Sequence, residues 1–226
     1  MPPKNYVKTF IEGGYYHIYN RGVAKQDIFR TEKDYKTFLY FLKEYLLPLG
    51  HEDLKKLKSQ EMSPRRNPQN CSADIQLLAY CLMPNHFHIL IKNICERGME
   101  KFMRAFGTSY STYFNRTYER VGPLFQGTYK AVLIETDEQL TYVSKYIHTN
   151  PQKLLAKDYP LQNYSYSSYQ NYLSKRNQDW IQTNNILSFF SDKFHNQNYK
   201  SFVEKTDEKS TNFLESIATL LLGKDD

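Results

Sequence analysis

Two histidines separated by a single residue, His86 and His88, are the side chains of this sequence best suited to chemistry. They follow Pro84-Asn85 in a segment whose apolar residues alternate, a pattern that predicts a β-strand. Residues two apart on a strand face the same way, so both imidazoles should point to one side of the sheet. Two such imidazoles form half of a metal site, although the spacing also occurs in ordinary strands.

A tyrosine and an asparagine one helical turn apart could supply the other half of the site. A helix is predicted from Asp137 to about Thr149, and Tyr146 and Asn150 share one of its faces because they lie four residues apart. If this face meets the histidine strand, the site combines two imidazole nitrogens, an amide oxygen and a nucleophilic hydroxyl. Locally, a C-terminal helix cap explains Asn150 equally well, and Tyr146 could be an ordinary half-buried tyrosine.

Hydrophobic periodicity predicts the elements that must position these residues. Strands are expected at about residues 15–20, 75–83, 86–91 and 129–135, and helices at about residues 31–47, 99–118 and 137–149. The order β-α-β-β-α-β, followed by a helix, predicts an α+β, ferredoxin-like (split βαβ) fold. This fold is an antiparallel sheet with helices on one face. Short helical patterns after residue 180 predict a small C-terminal helical appendage.

The chain divides into a predicted domain at residues 8–175 and a C-terminal helical extension at 176–226. Within the domain, residues 49–73 are polar and contain two prolines, which predicts a loop insertion. Its neighbouring arginines, Arg65 and Arg66, could contact phosphates, but a solvated loop explains them as well.

The composition favours a polyanionic partner. The 226 residues carry a net charge of +6, and 20 Tyr and 14 Phe could provide stacking surfaces for unpaired bases, although most aromatic residues fill a core. Charged residues around the second predicted helix and the fourth strand are candidate phosphate contacts: Lys101, Arg104, Arg116, Arg120 and Lys130. Each of them could also be a solvated surface charge.

The cysteines and the hydropathy of the sequence predict the cellular compartment of the protein. Cys71, Cys81 and Cys95 are odd in number and lack a CxxC spacing, which favours a reducing cytoplasm and argues against a structural zinc cluster. The N-terminus lacks an apolar signal segment, and no apolar run reaches membrane-spanning length. We therefore expect a cytoplasmic protein without a membrane partner.

Three stretches together resemble the REP-associated tyrosine transposases, members of the HUH single-tyrosine transposases of bacteria. They are Met-Pro-Asn-His-Phe-His-Ile-Leu at residues 83–90, Gly-Pro-Leu-Phe-Gln-Gly-Thr-Tyr-Lys at 122–130, and Tyr-Ile-His-Thr-Asn-Pro at 146–151. Residues 15–22, which end in Asn-Arg-Gly, are similar to the opening strand of the family. The resemblance covers about residues 8–175 and extends to the IS200-like enzymes, whose elements move as single strands.

The resemblance implies a ferredoxin-like fold and a divalent metal, Mg²⁺ or Mn²⁺, held by His86 and His88. In the insertion-sequence relatives, a polar residue one turn after the nucleophile completes the metal site. Tyr146 and Asn150 match these positions, which makes Tyr146 the expected catalytic residue and Asn150 the third metal ligand. Tyr129 is a rival nucleophile because it ends the Phe-Gln-Gly-Thr-Tyr hallmark, but it lies on or beside a strand and lacks a helical partner.

The implied activity is metal-dependent cleavage and rejoining of DNA through a 5′-phosphotyrosine intermediate. The expected partner is single-stranded or hairpin DNA, such as a REP element, and the protein would act as a monomer or homodimer. A domesticated, non-catalytic protein that binds single-stranded nucleic acid is the alternative. A zinc hydrolase could also use the histidine pair, but no third ligand at a spacing such as HExxH accompanies it.

Overall fold

A four-stranded antiparallel sheet organises the computed structural model, which describes residues 10–53, 70–156, 159–190 and 195–205. The strands lie in the order β2-β3-β1-β4, so that β3 and β1 are the two interior strands. Their bounds are Tyr15–Arg21 for β1, Ile75–Met83 for β2, His86–Asn93 for β3 and Lys130–Ile134 for β4. β2 and β3 form a hairpin through a two-residue turn at Pro84 and Asn85, as predicted.

Two crossover helices cover one face of this sheet. They are α1 at Glu32–Leu46 and α2 at Gly98–Thr117, and their buried side chains share a core with the β3 residues Phe87, Ile89 and Ile91. The resulting order β1-α1-β2-β3-α2-β4 confirms the predicted α+β, ferredoxin-like fold. The alternation in β3 therefore directs its large apolar side chains to these helices and leaves the histidines on the other side.

A third long helix, α3 at Asp137–Thr149, lies on the opposite face, where it contacts β2 and β3. Its N-cap is Thr136, whose hydroxyl oxygen accepts a hydrogen bond from the backbone N–H of Gln139 at 3.1 Å. The helix thus has the predicted bounds. The prediction of helices on one face describes α1 and α2, and α3 adds a layer on the other face.

Short helices follow α3 and pack behind it, and the last two of them lie in the segment predicted as a helical appendage. They are α4 at Tyr169–Tyr172, α5 at Asn184–Leu187 and α6 at His195–Glu204. Buried side chains of all three belong to the same core as α3, so the described part of the appendage is continuous with the sheet. The proposed boundary at residue 175 stays a prediction.

Parts of the predicted organisation lie outside the described residues. These are most of the loop insertion, including Arg65 and Arg66, and the last helical pattern at residues 213–222. Cys71, Cys81 and Cys95 form no disulfide with one another. Among the helices that the structure describes, none is both long enough and apolar enough to span a membrane.

Candidate active site

The face of the sheet covered by α3 carries the candidate site. We call it the histidine face, defined by His86, His88 and Leu90 of β3 and by His17 and Tyr19 of β1. Directly opposed residues on neighbouring antiparallel strands share a face of the sheet. Tyr19 is opposed to His88, and His17 is opposed to Leu90. β1 therefore places an imidazole and a phenol ring beside the predicted metal ligands.

The two predicted metal ligands point to the same side, as the alternation in β3 requires. Their ring centroids are 5.0 Å apart and the ring planes are nearly perpendicular, at 87°. His88 is buried, whereas His86 is half-buried at the start of the strand. Nδ1 of His86 lies 2.7 Å from Oδ1 of Asn85, an acceptor, so Nδ1 carries the proton and donates it. Ligation of a metal by His86 would therefore use Nε2.

His88 is hydrogen-bonded to a third histidine. Nε2 of His17 lies 2.9 Å from Nδ1 of His88, and the two rings are nearly parallel. Burial lowers the pKa of His17 to about 3. Burial also lowers the pKa of His88 well below its usual value, with further contributions from His17, His86 and Lys153. Both rings are therefore neutral at pH 7, which is the form of imidazole that binds a metal.

The α3 helix brings Tyr146 to these histidines. The buried ring of Tyr146 meets the ring of His88 edge-on, with centroids 5.4 Å apart, and meets the ring of His17 in the same manner at 6.0 Å. The face of α3 that carries Tyr146 therefore meets the histidine strand, which was the condition for a composite site.

Asn150 lies at the C-terminal end of α3 and caps it. Its Nδ2 donates a hydrogen bond to the backbone carbonyl of Tyr146 at 2.9 Å, so the cap interpretation is correct. The same bond fixes the amide orientation, because a carbonyl can accept only from the amide nitrogen. Oδ1 is buried and has no hydrogen-bond partner among the described residues. A buried acceptor left in this way is suited to a ligand, so capping and ligation are compatible roles.

By type, these donors suit a divalent cation. The set combines two imidazoles with one amide oxygen that lacks a hydrogen-bond partner among the described residues, a mixture compatible with Mg²⁺ or Mn²⁺. No group of three or more His, Cys, Asp or Glu that could hold a metal occurs in the part of the chain that the structure describes.

The rival tyrosine lies on the other side of the sheet. Tyr129 packs against the core formed with α1 and α2, and burial raises its pKa to about 12, with a smaller effect of Glu100. The next residue, Lys130, extends over the ring of Tyr19 on the histidine face, with Nζ 5.7 Å from the ring centroid. The structure therefore brings Tyr146 and not Tyr129 to the histidines.

The predicted phosphate contacts are divided between the two sides of the sheet. Lys101 forms an ion pair with Asp74, and Arg120 donates a hydrogen bond to Asn115 at 2.9 Å. Both belong to α2 or the turn after it, and the exposed Arg104 and Arg116 lie on the same helix, across the sheet from the histidines. Of the five candidates, Lys130 is the one on the histidine face.

Sequence reasoning missed four residues near the site. His17, Tyr19 and Arg21 alternate along β1, and Arg21 is directly opposed to His86. Lys153 follows α3 closely enough for its charge to lower the pKa of His88. The signal for the first three was available: β1 and β3 are neighbours in a split βαβ sheet, so the polar side of β1 must lie beside the histidines.

Residues 66–150 match the model of a protein family described as Transposase IS200 like. The matched segment includes β2, β3, α2, β4 and α3, and thus His86, His88, Tyr146 and Asn150. The resemblance to these transposases is confirmed over this segment. β1, with His17, lies outside it.

Among functionally curated proteins, none is significantly similar in sequence. One solved structure to which the chain has a partial likeness is a "REP associates tyrosine transposase bound to a REP hairpin", at 10% identity and a TM-score of 0.49. The alignment covers 79% of this chain and 97% of that one. Another is a tRNA(His) guanylyltransferase from Saccharomyces cerevisiae, at 9% identity and a TM-score of 0.32, covering 99% and 86% of the two chains.

Proposed function

We propose that this chain is a DNA transposase that cleaves and rejoins single-stranded, hairpin-bearing DNA through a covalent 5′-phosphotyrosine at Tyr146. The observation that carries the proposal is the contact between the rings of Tyr146 and His88 within the segment that matches the transposase family. It joins a nucleophile to a candidate metal ligand across two separate elements. We place the activity in the cytoplasm, where the three cysteines, which form no disulfide with one another, would stay reduced.

A divalent cation would be held by Nε2 of His86, Nε2 of His88 and Oδ1 of Asn150. When bound, such a cation orients the scissile phosphate and offsets the charge that develops on its oxygens. The residues around the ligands prepare them for this role. Asn85 holds the proton of His86 on Nδ1, and the backbone carbonyl of Tyr146 holds the amide of Asn150.

In the chemical step, the hydroxyl oxygen of Tyr146 forms a bond to phosphorus while the bond from phosphorus to the 3′ oxygen breaks. The phenol loses its proton and the departing 3′ oxygen gains one, which leaves a free 3′-hydroxyl and a 5′-phosphotyrosine. The covalent link conserves the phosphodiester bond energy, so that attack by another 3′-hydroxyl rejoins the strand without ATP. A free phenol has a pKa of about 10 and is a weak nucleophile at neutral pH, so Tyr146 requires this environment for activation.

Basic side chains on the histidine face supply the contacts to the DNA backbone. Arg21 is opposed to His86, Lys130 lies over Tyr19, and the charge of Lys153 reaches His88. All three lie on or close to the face that carries the proposed metal ligands. Binding through such contacts releases counterions and weakens as salt rises.

A non-catalytic protein that binds single-stranded nucleic acid is the second candidate. One observation favours it: Tyr146 is buried and Asn150 caps α3, so both residues have structural roles without any catalysis. The two candidates differ in a covalent product, which only the transposase forms.

The deciding experiment uses a hairpin-bearing single strand labelled at one end or the other. With Mg²⁺ or Mn²⁺, the 3′-labelled strand should become attached to the protein through a bond that survives denaturation, and the 5′-labelled strand should be released with a free 3′-hydroxyl. A chelator should abolish both products. Binding without either product would favour the non-catalytic candidate, and release of both fragments without an adduct would indicate hydrolysis.

A further inference from the structure

His17 is an unusual residue for the interior of a sheet. It is fully buried on β1, its ring stacks on that of Tyr19 with centroids 5.3 Å apart, and its Nδ1 has no hydrogen-bond partner among the described residues. A buried polar atom without a partner costs stability, so its presence calls for an explanation. An apolar side chain would fill this position without that cost.

The other ring nitrogen of His17 has one specific partner. Nε2 lies 2.9 Å from Nδ1 of His88, and both rings are buried. A hydrogen bond between two ring nitrogens contains one proton, so one nitrogen donates and the other accepts. The choice between them decides where His88 keeps its own proton.

Only one of the two arrangements is compatible with ligation by His88. If Nδ1 of His88 donates, its Nε2 carries a lone pair that can bind a cation. If Nε2 of His17 donates, the proton of His88 lies on Nε2 and blocks ligation. The partner of the remote nitrogen generally sets the tautomer of a metal-binding histidine in this way.

We propose that His17 is a positioning residue: by accepting a hydrogen bond from Nδ1 of His88, it holds the lone pair of His88 on Nε2, where the divalent cation binds. The inference rests on the proposed function, because it assumes a cation at His88. His86 has an equivalent arrangement, with Oδ1 of Asn85 as the acceptor at 2.7 Å. Each histidine of the pair thus has a separate acceptor for its Nδ1 proton, one from the hairpin turn and one from the neighbouring strand.

Two substitutions separate the hydrogen bond from the packing of the ring. His17→Leu fills the space but offers no acceptor to His88. His17→Gln places an amide oxygen as many bonds from Cβ as Nε2 of histidine, so it can still accept. Val132→Ala is the packing control, because Val132 is directly opposed to His17 on β4 and takes no part in the hydrogen bond.

The first measurement is the affinity of the full chain for Mn²⁺ alone, followed by the electron paramagnetic resonance signal of the free ion. His17→Leu should weaken binding by about 10- to 100-fold, the usual effect of removing a partner of a metal ligand. His17→Gln and Val132→Ala should stay within a few-fold of wild type. His86→Ala should abolish the binding, which identifies the titrated site.

The second measurement reads the tautomer directly. Long-range ¹H–¹⁵N correlation spectra of protein with ¹⁵N-labelled histidine, loaded with Mg²⁺, should show His88 protonated on Nδ1. His17→Leu removes the Nδ1 of His17 but leaves the buried Nδ1 of His88 without its acceptor, so the melting temperature should stay close to that of wild type.

Two results would overturn the inference alone: Mn²⁺ affinity in His17→Leu equal to that of wild type, or a His88 proton on Nε2 in the Mg²⁺-loaded protein. A wild-type chain that binds no Mn²⁺ would overturn it together with the proposed metal site. Covalent strand cleavage by a protein with normal Mn²⁺ affinity in His17→Leu would leave the proposed function intact and remove only the role of His17.

Discussion

The rings of Tyr146 and His88 lie almost perpendicular, at 84°, with their centroids 5.4 Å apart. Tyr146 belongs to a helix that follows the split βαβ unit, whereas His88 belongs to an interior strand of the sheet. The contact therefore forms only when α3 packs on the histidine face. The proposed nucleophile and a proposed metal ligand, which are far apart in sequence, thus meet through tertiary structure alone.

Replacing Tyr146 by phenylalanine should abolish cleavage and leave DNA binding almost unchanged. The substitution removes one hydroxyl and keeps the ring that packs on His88 and His17. The measurement is the amount of protein–DNA adduct on a hairpin-bearing single strand, together with peptide mapping of any adduct. Tyr129→Phe is the matched control and should form the adduct at position 146, because Tyr129 lies across the sheet. DNA attached to Tyr129 would show that the nucleophile has been assigned wrongly.

Substitution of either histidine of the pair should abolish cleavage without unfolding the protein. His86→Ala removes a half-buried side chain at a strand end, so its melting temperature should stay close to that of wild type. His88→Ala leaves a cavity in the core beneath α3 and should lower the free energy of unfolding as well. Circular dichroism would establish the folded state, and strand cleavage in Mg²⁺ or Mn²⁺ would report the activity. Undiminished cleavage by both folded variants would exclude these residues as ligands.

Two substitutions of Asn150 should separate its cap from its ligand role. Asn150→Ala loses both the hydrogen bond to the carbonyl of Tyr146 and the amide oxygen, so we expect about 1 kcal/mol lower stability and weaker Mn²⁺ binding. Asn150→Asp loses the donor but keeps an oxygen ligand. Its stability in urea titrations should fall without metal and recover when Mn²⁺ is added. The same Mn²⁺ affinity in wild type and Asn150→Ala would restrict Asn150 to capping.

Charge on the histidine face should contribute more to DNA binding than charge on α2. Lys130→Gln should weaken binding of a hairpin-bearing strand and reduce the slope of log affinity against log salt by roughly one. Arg104→Gln, which removes one charge from the exposed side of α2, should change neither quantity appreciably. Fluorescence anisotropy at several salt concentrations would measure both. An equal loss in the two variants would point to diffuse electrostatic attraction instead of a site on one face.

Acid should destabilise the protein below about pH 6.5 because of buried neutral histidines. His148 hydrogen-bonds to Tyr199 and Ser168, and burial, with a smaller effect of Arg176, lowers its pKa to about 3. The unfolded chain binds a proton near pH 6.5 and the folded chain does not, so this stability is present above pH 6.5 and is lost as the pH falls toward 3.

Urea unfolding at pH 7.5 and pH 5.5 tests this expectation. The free energy of unfolding should fall between pH 7.5 and pH 5.5, and this fall should be about 1.4 kcal/mol smaller in His148→Gln than in wild type. That difference is the linkage free energy of one such group over this pH interval. The comparison uses the change with pH within each variant, so a lower overall stability of the variant does not affect it. An identical pH dependence in both proteins would show that His148 is protonated in the folded state.

Sequence periodicity predicted the elements well because each one obeys a local rule. Alternation in β3 separates Phe87 from the histidines, and the i, i+4 spacing in α3 places Tyr146 and Asn150 on one face. The partners of these residues could not be predicted in the same way. The bond between His17 and His88 joins residues 71 apart in sequence, and it depends on the register of β1 against β3.

The predicted phosphate contacts show what charge in the sequence does not predict, namely the face of the sheet on which a residue lies. Arg104 and Arg116 were chosen for their charge within an amphipathic helix, and the structure places them on the exposed side of α2, away from the histidines. Charge alone carries no information about which face of a sheet a helix covers. Arg21 and Lys130 are as basic, and only strand pairing identifies them as neighbours of the site.

The cap that Asn150 forms on α3 has a consequence for how the sequence of such a protein would change if its proposed activity were lost. A copy that no longer needed to cut DNA would still be selected for a stable α3, and the bond from Asn150 to the carbonyl of Tyr146 would be retained for that reason alone. Selection on the hydroxyl of Tyr146 as the proposed nucleophile would end, and a change to phenylalanine would keep the ring that packs on His88 and His17. Among descendants of this chain, asparagine at position 150 together with phenylalanine at position 146 would therefore identify proteins that no longer cleave DNA.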